Sequence, residues 1–227
     1  MALIQSGVSG STLMTVDPTY TAARAALRPV EQLNTYGASA QSGQIATPAA
    51  GGYVFNMRFA AGSAGQAQYA LIQKVQVSAA ILGVAVTTSQ EVALGLMMLR
   101  NYTANETAAL AIAVTGSNGK YRTSLPTSQI ATNGQLQIAN TTAITGGTRT
   151  ADSAPISIVS STSGTAIGTT SIPLSTLYEW NGVSTPIVLA NNEGFAIQNM
   201  IAWATGSVRF TVNVTWTEVA TTSTTSF

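Results

Sequence analysis

The sequence predicts an all-β fold, an antiparallel β-sandwich of the jelly-roll kind, and three observations carry that prediction. The chain closes on a strand of strict alternation, short apolar runs recur along it, and turn signals separate those runs.

From Ser207 to Thr217 the even positions Val208, Phe210, Val212, Val214 and Trp216 are apolar, and the odd ones are polar. Strand side chains alternate between two faces, so these five form the core side of the last strand. Tyr53–Phe59 repeats the pattern, with Tyr53, Phe55, Met57 and Phe59 on one face and Val54, Asn56 and Arg58 on the other. Tyr69–Ser78 alternates less cleanly, because Gln73, Lys74 and Gln76 interrupt it. Val92–Leu99 is almost wholly apolar. It reads as a strand buried on both faces or as a short buried helix, which periodicity does not separate.

Leu136–Ile144, Ile156–Ser160, Leu177–Trp180, Pro186–Ala190 and Phe195–Ala204 are further strand candidates. Between the strands lie Asn118-Gly119, Asn133-Gly134, Gly146-Gly147, Asn181-Gly182 and Gly206. Asn191, Asn192, Glu193 and Gly194 are expected to form a tight turn between two strands, with Gly194 supplying the permissive backbone.

Residues 1–50 read as an extended N-terminal arm, 51–219 as the sandwich domain and 220–227 as a polar tail. Asp17 can cap a helix with Pro18 at its first position, so one short helix is expected near residues 18–28. The alternative is an extended arm, since ten residues alone make a marginal helix. Gly37–Gly52 and Ser161–Thr170, rich in small and polar residues, read as loops.

Composition narrows the function. Nine Lys and Arg against eight Asp and Glu leave the 227-residue chain near neutral, and only 7% of it is charged while 45% is apolar. Ordinary soluble domains carry about 25% charged residues. So uncharged a surface favours association and reads as a subunit covered by neighbours, the alternative being a neutral secreted-type β protein kept soluble by its Thr, Ser and Asn. No basic cluster exists to contact phosphates, so no nucleic acid is expected as a partner. No apolar run approaches the roughly 18 residues of a membrane span, so no membrane contact is expected. The opening MALIQSGVSGSTLM has no basic segment followed by a long apolar one, and no secretory leader is expected.

The chain has no His and no Cys. That excludes Ser-His-Asp and Cys-His catalysis and any Cys/His zinc site. No catalytic residue, cofactor or metal is therefore expected. The acids are scattered singly, so a glycosidase would depend on folding to bring two together. Gly116–Arg122 (GSNGKYR) contains Gly-Lys but lacks the flanking residues of a phosphate loop, and reads as a turn. The sequons at Asn101, Asn105, Asn140 and Asn213 read as chance products of a Thr- and Asn-rich chain.

Four stretches, Asp17–Pro29 (DPTYTAARAALRP), Thr176–Trp180 (TLYEW), Pro186–Asn199 (PIVLANNEGFAIQN) and Thr211–Val219 (TVNVTWTEV), resemble a group of small structural proteins of tailed bacteriophages. The resemblance lies toward both ends and is weak between about Ala60 and Pro173. It implies a virion component, assembled in the host cytoplasm, with no catalytic residues to carry over. The expected role is a capsid decoration or cement protein, or a head protrusion. It would touch the major capsid protein or other virion proteins, as a homo-oligomer with a trimer favoured. Arg24, Arg28, Glu179, Trp180 and Trp203 are the candidate contact residues. Glu179 and Glu218 read either as solvated edge charges or as ion-pair partners across a subunit contact. The alternatives are a major jelly-roll coat subunit and a tail-associated β domain that binds host-surface glycans through Trp180 or Trp203.

Overall fold

The computed structural model describes residues 4–5, 13–16, 23–24, 35–63, 66–106, 109–113, 119–145, 147–181 and 185–220. The chain divides into two units, Met1–Leu33 and Asn34–Phe227.

In the first unit β1 (Ile4–Gln5), β2 (Leu13–Val16) and β3 (Ala23–Arg24) form an antiparallel sheet in that order. Ala23 and Arg24 lie inside the expected 18–28 helix but pair with Val16 and Thr15. A lone short helix has little to hold it, whereas a ladder partner satisfies the backbone directly. The rest of that segment, Arg28 included, lies outside the described residues.

The second unit begins with β4 (Thr35–Gln41), β5 (Ile45–Ala46), β6 (Tyr53–Phe59), β7 (Ala67–Ile81) and β8 (Glu91–Ala104). β9 (Leu110–Ala111), the helix α1 (Gln129–Thr132) and β10 (Gln135–Ile138) follow. Then come β11 (Thr148–Ala151), β12 (Ser157–Thr162), β13 (Thr170–Glu179), β14 (Ile187–Leu189), β15 (Glu193–Asn199) and β16 (Ser207–Ala220).

Two antiparallel sheets pack face to face. One has the order β13-β7-β16-β4, with β14 continuing β13 along β7 and β5 continuing β4 along β16. The other has the order β11-β8-β15-β6-β10-β9, with β12 continuing β11 along β8. Taking each broken pair as one strand, the first pairs with the eighth, the second with the seventh, the third with the sixth and the fourth with the fifth. That nested pairing is the jelly roll. β9 and β10 are an insertion between its fourth and fifth strands.

The core lies between the sheets. Val208, Phe210, Val212, Val214 and Trp216 of β16 are all buried, as are Phe55, Met57 and Phe59 of β6. Phe55 meets Phe195 with ring centres 5.7 Å apart, and Trp216 stacks on Tyr36 at 5.8 Å. Val92–Leu99 is a strand, buried on both faces within β8. Its outer side is covered in part by a second cluster of Leu99, Tyr102 and Ala196 with Tyr53 and Ala151.

The blurred alternation of β7 has a specific cause. Lys74 lies opposite Thr215 and Ile72 opposite Trp216, so β7 has one residue more than β16 at Gln73. This bulge reverses the phase, and the buried positions run Ala70, Ile72, then Val75, Val77, Ala79 and Ile81.

The segment Gly37–Gly52, expected as a loop, instead contributes most of β4 and all of β5, so the sandwich begins at Thr35 rather than residue 51. Tyr36 is the one large apolar side chain of β4, and the small residues around it hide the period. The candidate Phe195–Ala204 ends at Asn199. The buried Asn199 amide donates to Pro48 O at 3.1 Å and Ile201 O at 2.8 Å, which turns the chain away. Leu136–Ile144 ends as a strand at Ile138, Leu177–Trp180 starts earlier at Thr170, and Asn133 caps the C-terminus of α1. The tail 221–227 lies outside the described residues.

Candidate functional site

The outer face of the β7 sheet carries rows of polar side chains set by strand register. Ser39, Asn213, Gln76 and Thr176 form one row across β4, β16, β7 and β13. Gly37, Thr215, Lys74 and Glu179 form the next. Their outward direction follows from the alternation that buries Val212, Val214 and Trp216.

A groove of about 440 Å³ lies on this face, lined by Gly37, Ser39, Gln76, Tyr121, Asn213 and Thr215 among others. Tyr121 forms its wall. The 119–121 segment runs along β4, with Gly37 N–H donating to Gly119 O at 2.7 Å and Tyr121 N–H to Thr35 O at 3.3 Å. That pairing places the Tyr121 ring over Gly37, where a Cβ would come within 2.8 Å of Tyr121 Cε1. The Tyr121 hydroxyl lies 3.3 Å from Thr215 Oγ1, yet the residue is 65% exposed. Sequence reasoning did not single out Tyr121; the available signal was a tyrosine directly after the Asn-Gly turn and its lysine.

Folding brings Glu106, Asp152, Glu179, Glu193 and Glu218 to partners within the chain. Arg100 donates to Glu193 at 2.6 Å and to Asp152 at 3.5 Å, so two carboxylates share one guanidinium. The Glu193 hydrogen bond in particular raises the Arg100 pKa. A glycosidase pair needs one carboxyl protonated and one ionised, an environment that a shared cation does not build. Glu106 is buried against Arg149, whose guanidinium lies 4.7 Å from the Tyr53 ring centre and 5.5 Å from that of Tyr102. Burial raises the Tyr102 pKa, and the charges of Arg149 and Arg58 oppose that rise. Lys74 meets Glu179 at 3.2 Å on the exposed face.

Glu218, the other candidate edge charge, is buried. It accepts from Ser128 Oγ, from Gln129 N–H at 2.8 Å and from Trp216 Nε1–H at 3.0 Å. Neither reading of it as a surface group stands, because position 218 continues the even, inward phase of β16.

The link from β14 of one sheet to β15 of the other turns at Asn191 and Asn192, while Glu193 and Gly194 of the expected turn already lie in β15. The residue with positive φ is Asn192, at 62°, and not Gly194. Gly194 answers a different need, since a Cβ there would run into the Met57 carbonyl oxygen. Arg58 ties the turn down, donating to Asn192 Oδ1 at 2.9 Å and to Tyr102 O at 2.5 Å.

Of the candidate contact residues, Trp203 is buried, at 3% exposure, and so presents no platform. Trp180 is half-buried, Glu179 is exposed beside Lys74, and Arg24 lies in β3. Exposed aliphatics lie instead at Val84, Leu110 and Ile167 and, on or beside β12, β13 and β14, at Ile156, Ile158, Leu174 and Val188. Among the described residues no helix is long and apolar enough to cross a membrane.

The fold therefore defines a jelly-roll β-sandwich. Comparison with protein-family models, with curated proteins and with solved structures finds no match to this chain.

Proposed function

We propose that this chain is a virion structural subunit, a decoration, cement or head-protrusion protein that binds an assembled capsid and stabilises it. The observation that carries the reading is the set of exposed aliphatic side chains, Ile156, Ile158, Leu174 and Val188, on a chain with only 7% charge. Covering each one further contributes roughly 1 kcal/mol, without any charge to desolvate. β12 and β13 come from opposite sheets and approach each other along one side, which suits a lattice contact. The resemblance to tailed-phage structural proteins supplies the virion setting, and jelly rolls recur in viral shells. That last point is analogy of fold, which does not by itself define function. A subunit that binds only the assembled shell shifts the shell equilibrium toward assembly, so occupancy and particle stability rise together.

The same fold supports a second reading, the major coat subunit. Quantitative mass spectrometry and cryo-electron microscopy of purified particles test both. A decoration protein appears on the shell exterior in fixed ratio to a more abundant coat protein. A coat subunit is itself the most abundant chain. Particles that lack the chain overturn both readings.

A further inference from the structure

We infer that the groove beneath Tyr121 is a binding subsite for a neutral saccharide. Three features on the outer face of the β7 sheet converge on that ligand class. The first is an exposed aromatic ring in a fixed position. Backbone pairing on either side, the bare Cα of Gly37 beneath it and the Thr215 hydroxyl all hold Tyr121 in place. A ring already ordered loses little entropy on binding, and its open face suits the C–H face of a pyranose.

The second feature is the lining. Ser39, Gln76, Asn213 and Thr215 present hydroxyl and amide groups from three neighbouring strands, at spacings set by the sheet. These side chains both donate and accept, as the paired hydroxyls of a sugar require. They stand on strands rather than on a loop, so their relative positions are preorganised. The volume of about 440 Å³ lies within the roughly 300–1,000 Å³ of small-molecule sites.

The third feature is charge. Among the described residues no Asp, Glu, Lys or Arg lines the groove, and Lys74 in the adjacent row is paired with Glu179. An anionic sugar finds no unpaired cation in the lining, and a hydrophobic peptide finds no apolar pocket. The buried Trp203 moves any glycan contact away from that residue and onto Tyr121. The inference is independent of a place in a virion, because sugar binding and particle location are measured separately.

The test is two-dimensional amide NMR of the full chain titrated with lactose, maltotriose, cellotriose and chitotriose, with sialyllactose as an acidic comparison. At least one neutral probe should shift the amide resonances of Tyr121, Asn213 and Thr215. Tyr121→Ala should weaken that binding about tenfold or more, the equivalent of one lost stacking contact. Asn213→Ala should weaken it too, and Tyr121→Phe, which keeps the ring, should retain most of it. An unchanged spectrum outside the groove establishes that each variant is folded. The inference is overturned if no neutral probe shifts these resonances, if Tyr121→Ala leaves the shifts intact, or if sialyllactose alone binds.

Discussion

Glu218 Oε2 accepts the backbone N–H of Gln129 at 2.8 Å, joining the end of the last strand to the start of the single described helix. Ser128 Oγ and Trp216 Nε1–H donate to the other oxygen of the same carboxylate. Ser128 is also the N-cap of α1, accepting Ile130 N–H at 3.1 Å. One buried charge thus organises a helix start, a strand end and the largest aromatic of the core. Hydrogen bonds to an ionised acceptor are stronger than neutral ones, which offsets the cost of burying it.

Glu218→Ala should lower unfolding stability by about 3 kcal/mol or more, since it leaves several buried donors unpaired and opens a void. Glu218→Gln keeps the volume but turns one acceptor into a donor facing donors, and should cost about 2 kcal/mol. Urea denaturation followed by tryptophan fluorescence measures both. A loss below about 0.5 kcal/mol for Glu218→Ala, the scale of an ordinary surface change, contradicts the role assigned to the carboxylate.

Tyr36 gives a pH signature of the same region. Burial chiefly, and then the Glu218 charge, push its phenol pKa up from 10.0 to about 12. The unfolded chain releases this proton near pH 10 and the folded one does not. Stability from this group is therefore full below pH 10 and declines as pH rises from about 10 toward 12. Chemical denaturation across that range should show the decline, and Tyr36→Phe should flatten it while removing the hydroxyl bond to Pro126 O. An equally steep decline in Tyr36→Phe would assign the effect to other groups.

The residues explain what was legible in the sequence and what was not. β16 announces itself because each inward position is large and each outward one polar. β7 is obscured by one extra residue at Gln73, which flips the phase halfway. β4 is hidden because TYGASAQ has a single large apolar side chain, and Gly37 is small for the sake of a ring from a distant segment. The helix near residue 130 had a signal, Ser128 before it and Asn133-Gly134 after it, but at four residues it falls below the length that periodicity detects. Glu218 was readable as buried by phase alone. Its acidity argued the other way, and only the N–H groups of a segment 89 residues away resolve that conflict. The groove under Tyr121 could not be read, since β4, β16 and the 119–121 segment are brought together only by the jelly-roll wrap.

Two ion pairs should respond very differently to truncation. Arg149 and Glu106 face each other in the interior, with side-chain exposures of 7% and 0%. Gln135 and Gln137 hold the Glu106 backbone carbonyl at 2.9 and 3.1 Å, which fixes the backbone that carries the carboxylate into the interior. Arg149→Ala therefore strands a buried charge and should cost about 3–5 kcal/mol. Replacing both charges, Arg149→Met with Glu106→Gln, should recover much of that loss. Lys74→Ala, which breaks the exposed pair with Glu179, should change stability by less than about 1 kcal/mol. Thermal and urea unfolding of the set check the order, and equal losses at Arg149 and Lys74 would be evidence against it.

Two glycines separate steric need from backbone need. Gly194 lies in β15 opposite Arg58 and Leu99, and its φ is not positive. An added Cβ meets the Met57 carbonyl oxygen and lies 3.1 Å from Tyr102 Cδ1, so β15 and β6 would have to part where they pair. Gly194→Ala should cost about 3 kcal/mol or more, as overpacking against backbone does. Gly168 has φ of 85° with nothing within 4 Å of an added Cβ. Gly168→Ala should cost only about 1 kcal/mol, the penalty of holding a left-handed conformation. Hydrogen exchange distinguishes the two beyond their size. Gly194→Ala should speed exchange in β6 and β15, whereas Gly168→Ala should leave both strands protected. Undisturbed protection of β6 and β15 in Gly194→Ala would mean that the two strands accommodate a methyl group there, and that the glycine is not required by their close approach.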